Sequence, residues 1–351
     1  MNAFLKQGYV VEAMIPDDGV YFQKLCDLKI HCFSFLIDGK GVNPLKDFKL
    51  INLFKHDFAK IKPSLICSFT IKPNLYSSIA ARKYGIPVIA GVTGLGTAFL
   101  QKNLLNKIAV HLYKFAFKNI GCVFFQNNDD KIFFDQLQII PPKRMSFSLP
   151  GDGVDLQKFS YLGLHNNPNC QFLYSGRLIG DKGLYELVSA FRLVKQKYPF
   201  SSLVFIGNYF LGNPTAINNA QIQKWVSEGL ISYLGMVDNV DEIIAGCDCM
   251  VLPSYREGMP RSLLEAASMG KPIITVDSIG CKDVVEDGVT GYMAKVKDVN
   301  SLAEAMIRFI ELPFDKKVEM GVNGRRKMER EFDQKIVIDK YLEVAKKLLS
   351  H

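Results

Sequence analysis

Short apolar runs alternate with helix-length segments through the second half of this chain, and this alternation constrains the fold more than any other feature. The runs that we interpret as strands cover residues 170–175, 202–207, 231–235, 249–253, 272–276 and 291–294. Strands that alternate with helices at this spacing predict βαβ units and therefore a parallel sheet. The runs are almost entirely apolar, which is typical of strands that helices cover on both faces. We expect an α/β fold.

The first half repeats this scheme less regularly, and its start differs from a complete doubly wound sheet. Residues 1–7 have the pattern of the end of a helix, with Gly8 as its C-cap. A doubly wound sheet normally opens with a strand and a glycine-rich turn before this helix. We therefore expect the first strand and the Gly-rich turn to be missing.

The length of 351 residues favours two domains. The segment 149–155 and the polar run 162–169 have the composition of an interdomain connector. We place one Rossmann-like domain at 1–149 and a second at 150–333. We expect the closing helix, 334–351, to pack back on the first domain.

The charge of the chain is divided unevenly. Residues 1–150 carry 19 Lys/Arg and 10 Asp/Glu, whereas residues 151–351 carry 24 and 25. A basic half suits nucleic acid, an anionic membrane surface or solubility alone. No signal peptide or transmembrane segment is visible, and the eight cysteines lack paired spacing, as in a reducing cytosol. We expect a cytoplasmic protein.

Two carboxylates lie eight residues apart at a loop-to-helix corner. Glu257 follows the apolar run 249–253 in a Gly/Pro loop, and Glu265 lies in the helical stretch that comes next. Such a pair can address both ends of one ligand. A sugar nucleotide has sugar hydroxyls at one end and a ribose at the other, so it suits this arrangement. A helix cap at Glu257 and a solvated Glu265 fit the pattern equally well.

A basic turn follows the strand at 170–175. Arg177 and Lys182 lie between Gly176 and Gly183, directly before a helix. Glycines let the backbone approach a ligand closely, and cations near a helix N-terminus attract anions such as pyrophosphate. The alternative is a solvated basic turn.

These residues follow strands of one predicted sheet. Gly207 and Asn208 end the next strand along the chain. Ligands of open α/β sheets bind outside the carboxyl ends of the strands. We therefore expect Gly207 and Asn208 at the same edge as Arg177, Lys182 and the two glutamates.

Four motifs of the second half occur in an order found in one enzyme family. They are the Gly-Arg…Lys-Gly turn at 176–183, the paired glutamates, the run Gly-Met-Pro-Arg-Ser-Leu-Leu-Glu-Ala at 258–266 and the strand entry at 286–292. With them, residues 170–312 resemble the donor-binding domain of retaining glycosyltransferases of family 4, which have the GT-B fold. Segments 70–74, 91–96, 125–130 and 150–155 resemble capsule, O-antigen and lipid-linked oligosaccharide members of that family.

The resemblance implies a role for each site residue. Arg177 and Lys182 would hold the donor diphosphate and offset the charge that develops on the leaving nucleotide. Glu265 would accept hydrogen bonds from the ribose, and Glu257 would contact the transferred sugar. We count Glu257, Arg177 and Lys182 as catalytic. Further substrate contacts are expected from Gly176, Gly207, Asn208, Gly258, Met259, Pro260, Gly94, Leu95 and Gly96.

The resemblance also implies two domains facing a central cleft, the first on the acceptor side and the second binding the donor. The reaction would move a hexose or N-acetylhexosamine from a UDP-linked sugar to a polyprenyl-diphosphate-linked or polysaccharide acceptor. No metal or other cofactor is expected, because two cationic side chains replace a metal. The Asp129–Asp130 pair is interpreted as a helix N-terminal cap.

Two segments of the first half, 44–62 and 100–118, mix lysines with apolar residues. Basic amphipathic helices lie well on anionic membranes, although helices that cover a sheet and expose solvated lysines have the same composition. The basic charge of this half favours peripheral contact with the inner face of the cytoplasmic membrane. Nucleic acid is not expected, since no aromatic platform or reading motif accompanies the charge.

Two other functions stay open. A truncated, inactive homologue that still binds nucleotide would explain the missing first strand. A nucleotide-sugar epimerase of similar architecture would need additional acid/base residues in the cleft, and the five scattered histidines do not suggest them.

Overall fold

Parallel strands alternate with helices throughout the described chain, which confirms the α/β prediction. The computed structural model describes residues 1–35, 44–95 and 104–350. These residues form two units. The first comprises Met1–Phe125, Lys131–Phe147 and Ile338–His351, and the second comprises Gln126–Asp130 and Ser148–Val337.

The first unit contains two separate sheets, with strand orders β1-β2 and β3-β4-β5-β6. Strands β1 and β2 are parallel, and so are β3, β4 and β5. Helices α4 and α5 pack against each other beside the longer sheet, and aromatic rings of Phe54, Tyr113, Phe117 and Phe134 fill its core. The elements are α1 (Asn2–Lys6), β1 (Glu12–Ile15), α2 (Val20–Asp27), β2 (His31–Ser34), α3 (Pro44–Ile61), β3 (Ile66–Phe69), α4 (Ile71–Ala81), β4 (Val88–Val92), α5 (Leu104–Phe117), β5 (Cys122–Phe125), α6 (Asn128–Gln136) and β6 (Met145–Ser148).

The second unit is built on one parallel sheet with strand order β12-β11-β10-β7-β8-β9. Its core combines strand residues such as Phe172 and Phe205 with helix residues such as Phe191 and Phe309. The elements are β7 (Gln171–Ser175), α7 (Leu184–Lys197), β8 (Ser202–Ile206), α8 (Asn219–Ser227), β9 (Ser232–Tyr233), α9 (Val240–Gly246), β10 (Cys249–Leu252), α10 (Arg261–Ser268), β11 (Ile273–Val276), β12 (Gly291–Ala294), α11 (Val299–Glu311) and α12 (Phe314–Lys327). The last helix, α13 (Gln334–Leu349), is divided between the two units.

Helix α13 begins in the second unit, and its residues from Ile338 onward belong to the first. The Tyr341 ring lies 4.4 Å from the Phe124 ring and 6.1 Å from the Phe69 ring, measured between centroids. The last helix therefore packs beside β3 and β5. Nowhere in the described ranges does a helix combine the length and the apolar character that crossing a bilayer requires.

Strands β10, β7 and β8 are neighbours near the middle of the second sheet, and they run in the same direction. Ser175 at the end of β7 is in register with Ile206 at the end of β8. The loops that follow these three strands consequently leave the sheet at one edge. The predicted site residues that follow β7, β8 and β10 lie in these loops.

Candidate functional site

Two glycine turns touch each other at this edge. The Gly176 N–H donates to the Ile206 carbonyl over 3.0 Å, so the turn after β7 lies directly on the end of β8. Gly207 has a φ of +138°, and a Cβ atom there would lie 1.9 Å from the Gly176 carbonyl oxygen. Only glycine fits at position 207. The absence of a side chain at this position lets the backbones of the two turns pack directly against each other.

The turn after β7 also meets the loop after β10 through an ion pair. The Lys182 ammonium lies in the short helical turn Gly180–Lys182 and pairs with the Glu257 carboxylate. Each side chain keeps only 13% of its exposed surface. Gly183 permits this approach, since its φ is +72° and a Cβ atom there would lie 2.2 Å from the Pro253 carbonyl oxygen. A cation and a carboxylate are therefore held side by side in a largely buried position.

The backbone around Glu257 is fixed from two sides. The Glu257 N–H donates to the Ile279 carbonyl over 2.9 Å, and the Tyr255 N–H donates to the Asp181 carbonyl over 3.0 Å. Gly280, with a φ of +81°, brings the backbone so close that a Cβ atom would lie 2.6 Å from the Glu257 carbonyl oxygen. These contacts hold the Glu257 carboxylate in place before any ligand binds, which is the arrangement that catalysis by preorganised charge requires.

Arg177 and Asn208 extend the edge beyond the ion pair. The exposed Arg177 guanidinium lies 4.9 Å from the centroid of the Phe210 ring. The Asn208 carbonyl accepts a hydrogen bond from the Leu178 N–H over 3.0 Å, which ties the loop after β8 to the loop after β7. A second cation is thus present on the same loop as Lys182.

Glu265 lies on α10, where its side chain is only 12% exposed. Its Oε1 atom accepts a hydrogen bond from Nη2 of Arg261, one helical turn earlier, over 3.1 Å. Burial raises the pKa of the Glu265 carboxyl, and the charge of Arg261 opposes this shift. A carboxylate that is costly to ionise, on the helix that directly follows the Glu257 loop, is a candidate ligand-binding group.

Met259 and Pro260 connect the Glu257 loop to α10. Met259 packs on Gly151, where a Cβ atom would lie 2.5 Å from the Met259 Cβ, and Pro260 is buried. In the first unit, Gly94 has a φ of +136° and open space around it, whereas the Leu95 side chain packs in the core. Gly96 lies outside the described residues.

The segment Gln126–Asp130 anchors the Glu257 loop, and sequence reasoning missed this function. Nδ2 of Asn127 donates to the Gly258 carbonyl over 2.8 Å, and the Arg256 guanidinium pairs with the fully buried Asp130. Burial raises the pKa of the Asp130 carboxyl, and the Arg256 charge opposes the rise. The residues on both sides of Glu257 are therefore held by one short polar segment.

The prediction that Asp129 and Asp130 cap a helix is wrong in detail. The cap of α6 is Asn127, whose Oδ1 accepts the Asp130 N–H over 2.8 Å. Asp129 and Asp130 lie in the first turn, where Asp130 pairs with Arg256 and Asp129 lies 3.3 Å from the Lys282 ammonium. A run of five polar residues directly after a buried strand was the available signal for these contacts.

Two α/β units, the second with a basic glycine turn and a fixed carboxylate at the carboxyl edge of its parallel sheet, are the arrangement expected of a glycosyltransferase of the GT-B fold. Comparison with protein families agrees with this. Residues 163–327 match the model of glycosyl transferases group 1, and residues 1–127 match the model described as glycosyl transferase 4-like. The chain belongs to the glycosyltransferases, and it is an enzyme of that class.

Relatives of known name cover nearly the whole chain. An N,N'-diacetylbacillosaminyl-diphospho-undecaprenol alpha-1,3-N-acetylgalactosaminyltransferase of Campylobacter jejuni is 26% identical over 97% of this chain and 92% of its own length. A UDP-Gal:alpha-D-GlcNAc-diphosphoundecaprenol alpha-1,3-galactosyltransferase of Escherichia coli is 29% identical over 86% of this chain and 80% of its own. The fold is similar to that of Anabaena HepE, solved with UDP and glucose, with a TM-score of 0.78, 18% identity and coverage of 95% of this chain and 91% of that one.

Proposed function

We propose that this chain transfers a hexose or N-acetylhexosamine from a UDP-sugar to a polyprenyl-diphosphate-linked sugar during the assembly of a surface polysaccharide. The relatives from Campylobacter jejuni and Escherichia coli, whose names specify diphospho-undecaprenol acceptors, support this acceptor class. The name of the second relative also specifies a UDP donor. The observation that carries the proposal is the Lys182–Glu257 pair at the carboxyl edge of the second sheet.

In this proposal the two cations of the β7 loop bind the donor diphosphate. Negative charge grows on the diphosphate as the bond to the sugar breaks, and fixed positive charge stabilises it most in the transition state. Lys182 is held by Glu257, and Arg177 lies on the same loop. These two side chains supply the charge that a metal ion supplies in other transferases, so we propose a metal-independent reaction.

The carboxylates orient the two ends of the donor. Glu257 would accept hydrogen bonds from hydroxyls of the transferred sugar, while the Gly258 and Met259 N–H groups offer donors next to it. Glu265, eight residues further on, would accept hydrogen bonds from the ribose hydroxyls. Both relatives are named for alpha-1,3 transfer. Because the sugar of a UDP-galactose donor is itself α-linked, we propose that configuration is retained.

The proposed acceptor is embedded in a membrane, so the enzyme must reach one. We propose that the chain works in the cytoplasm at the inner face of the cytoplasmic membrane, with its basic half, residues 1–150, in peripheral contact with anionic lipid. Contact through positive charge suits this side, because anionic lipids give the cytoplasmic leaflet a negative potential.

The experiment that tests the proposal offers the protein a panel of UDP- and GDP-sugars together with a polyprenyl-diphosphate sugar. We expect one UDP-sugar to yield a lipid heavier by one hexose or N-acetylhexosamine, with the same yield in excess EDTA. Loss of the product in EDTA would contradict the metal-independent step. Conversion of the donor to another sugar nucleotide without a lipid product would instead identify an epimerase, and UDP binding without any turnover would identify an inactive homologue.

Replacing Glu265 by glutamine is expected to stabilise the fold while weakening UDP binding. Burial raises the pKa of the Glu265 carboxyl above its ordinary value of 4.5, so the folded chain holds this proton to higher pH than the unfolded chain. Stability is therefore lost as the pH rises from the ordinary carboxyl pKa through the raised pKa of the folded chain. Glutamine has no proton to lose, and Arg261 remains solvated because it is exposed.

The measurements are urea denaturation and calorimetric UDP binding. At neutral pH the variant should unfold at a higher urea concentration than the parent, and the difference should disappear below the ordinary carboxyl pKa. UDP affinity should fall by about 10- to 100-fold, because hydrogen bonds to charged groups contribute roughly 1.5–3 kcal/mol. Glu304→Gln, an exposed position on α11, is the matched control and should change neither quantity. An unchanged UDP affinity in Glu265→Gln would remove Glu265 from the donor site.

A further inference from the structure

One long stretch of the first unit carries no negative charge at all. Between residues 58 and 125 the sequence has no Asp or Glu and nine basic residues: Lys60, Lys62, Lys72, Arg82, Lys83, Lys102, Lys107, Lys114 and Lys118. Charged surfaces of soluble proteins normally mix both signs. A single-sign stretch of this length produces a positive field, which attracts anionic partners.

Helix α5 lies inside this stretch and has apolar residues on two faces. One face, with Tyr113, Ala116 and Phe117, is buried in the core of the first unit. The other carries Ile108 and Phe115, which are 54% and 56% exposed and lie two turns apart. A helix that only covers a sheet needs one apolar face. The second apolar face of α5 therefore needs another explanation.

The exposed residues line a shallow groove, and basic side chains lie on the same helix. Lys107, Ile108, His111, Leu112 and Phe115 line a shallow groove of about 520 Å³ on the surface of the first unit. Lys114 lies on the same helix and Lys118 directly follows its last residue; both side chains are exposed. Large apolar side chains flanked by lysines are typical of segments that lie in the interface of an anionic membrane.

A neighbouring turn extends this surface. The Arg82 guanidinium lies 4.7 Å from the centroid of the Phe115 ring, and its Nη2 donates to the Ala116 carbonyl over 2.7 Å. Lys83 and Tyr84 follow in the same turn, and both are exposed. The Phe115 ring is thus in contact with a cation. Lys83 and Tyr84 add a further basic and a further aromatic side chain to the surface.

Helix α3, the other basic amphipathic segment, differs in its charge. It contains Asp47 and Asp57, and Asp47 pairs with Lys72 over 2.8 Å. The carboxylates reduce the positive field along α3, whereas α5 has none. The structure therefore favours α5 over α3 as the principal contact.

We infer that the exposed face of α5 together with the Arg82–Tyr84 turn binds an anionic lipid bilayer, with Ile108 and Phe115 entering the headgroup region and the lysines contacting lipid phosphates. We call this set the α5 face. The inference rests on the proposed function to the extent that a lipid-linked acceptor requires a membrane. It goes further because it assigns the contact to one surface and makes α3 secondary.

The test is sedimentation of the full chain with vesicles made of equal parts of phosphatidylglycerol and phosphatidylcholine. The triple variant Lys107→Glu, Lys114→Glu, Lys118→Glu should partition at least about 100-fold more weakly, since the loss of each lysine near an anionic surface costs about a factor of five and each new carboxylate is repelled. Neutral phosphatidylcholine vesicles should bind parent and variant equally weakly. The matched control, Lys224→Glu, Lys335→Glu, Lys347→Glu, changes the net charge by the same amount at other exposed lysines and should lose far less.

A second variant tests the apolar part. Ile108→Ser with Phe115→Ser leaves the charge unchanged and should weaken partitioning about tenfold, because less apolar surface enters the interface. Thermal unfolding of each variant verifies that the first unit is intact. All variants should keep UDP binding and transfer to a short-chain acceptor in detergent. Vesicle binding therefore tests the membrane inference, and UDP binding and transfer test the proposed reaction separately. Equal losses in the α5 and control variants, or tighter binding to RNA than to vesicles, would overturn the inference.

Discussion

Replacing Lys182 by methionine should lower the rate of sugar transfer by about 100- to 1000-fold, the range found when one group that stabilises transition-state charge is removed. Methionine keeps most of the length and volume of the side chain but has no charge. Because Lys182 acts on charge that grows as the sugar leaves, kcat should fall much more than KM rises. Steady-state kinetics with the UDP-sugar identified in the donor panel measures both.

The Lys182 variant also disturbs the fold, and this effect must be separated from the chemistry. Lys182→Met leaves the largely buried Glu257 carboxylate without its partner. We expect it to reduce the free energy of unfolding by about 3 kcal/mol, the lower end of the cost of removing one member of a buried pair. Glu257→Gln should have a similar cost, since it leaves the ammonium unpaired.

The double variant Lys182→Met, Glu257→Gln separates the two effects. It contains neither charge, so its free energy of unfolding should return to within about 1 kcal/mol of the parent. Its transfer rate should stay as low as that of the single Lys182 variant. If activity recovers together with stability, Lys182 has only a structural role and the proposed site is wrong.

Much of the second unit could be predicted from the sequence, for a physical reason. Strands that are covered on both faces must be apolar along their whole length, and runs such as 170–175 and 249–253 therefore stand out. Parallel strands end at one edge, so residues that follow them are brought together whatever their separation in sequence. The positions of Arg177, Lys182 and Glu257 at one edge followed from these two rules.

The pairings within the site could not be predicted in the same way. Lys182 and Glu257 are 75 residues apart, and Arg256 and Asp130 are 126 apart. Both pairs depend on the detailed path of irregular loops, which no periodicity describes. The Arg261–Glu265 contact joins residues four apart in one helix, so a helix prediction for this segment already places the two side chains next to each other. The division of the first unit into two sheets likewise depends on contacts that strand patterns do not encode.

At Gly207, both the site and the stability of the fold depend on the absence of a Cβ atom. Its φ of +138° is accessible only to glycine, and a Cβ atom would lie 1.9 Å from the Gly176 carbonyl oxygen. The obstacle is backbone of the adjacent turn, which cannot rotate aside as a side chain would. Gly207→Ala therefore requires the turns after β7 and β8 to separate.

We expect Gly207→Ala to lower the free energy of unfolding by about 3 kcal/mol or more, since it combines backbone strain with overpacking. Gly229→Ala is the control, because Gly229 also has a positive φ of +67° but has open space where the Cβ would lie. Strain alone should cost about 1 kcal/mol there.

Urea denaturation compares the free energies of unfolding of the two variants. UDP binding should weaken only in Gly207→Ala, because separating the turns moves Arg177 and Lys182 away from Glu257. Equal urea midpoints for the two variants would mean that the turns do not touch, and the site would lose the contact that holds its cations in place.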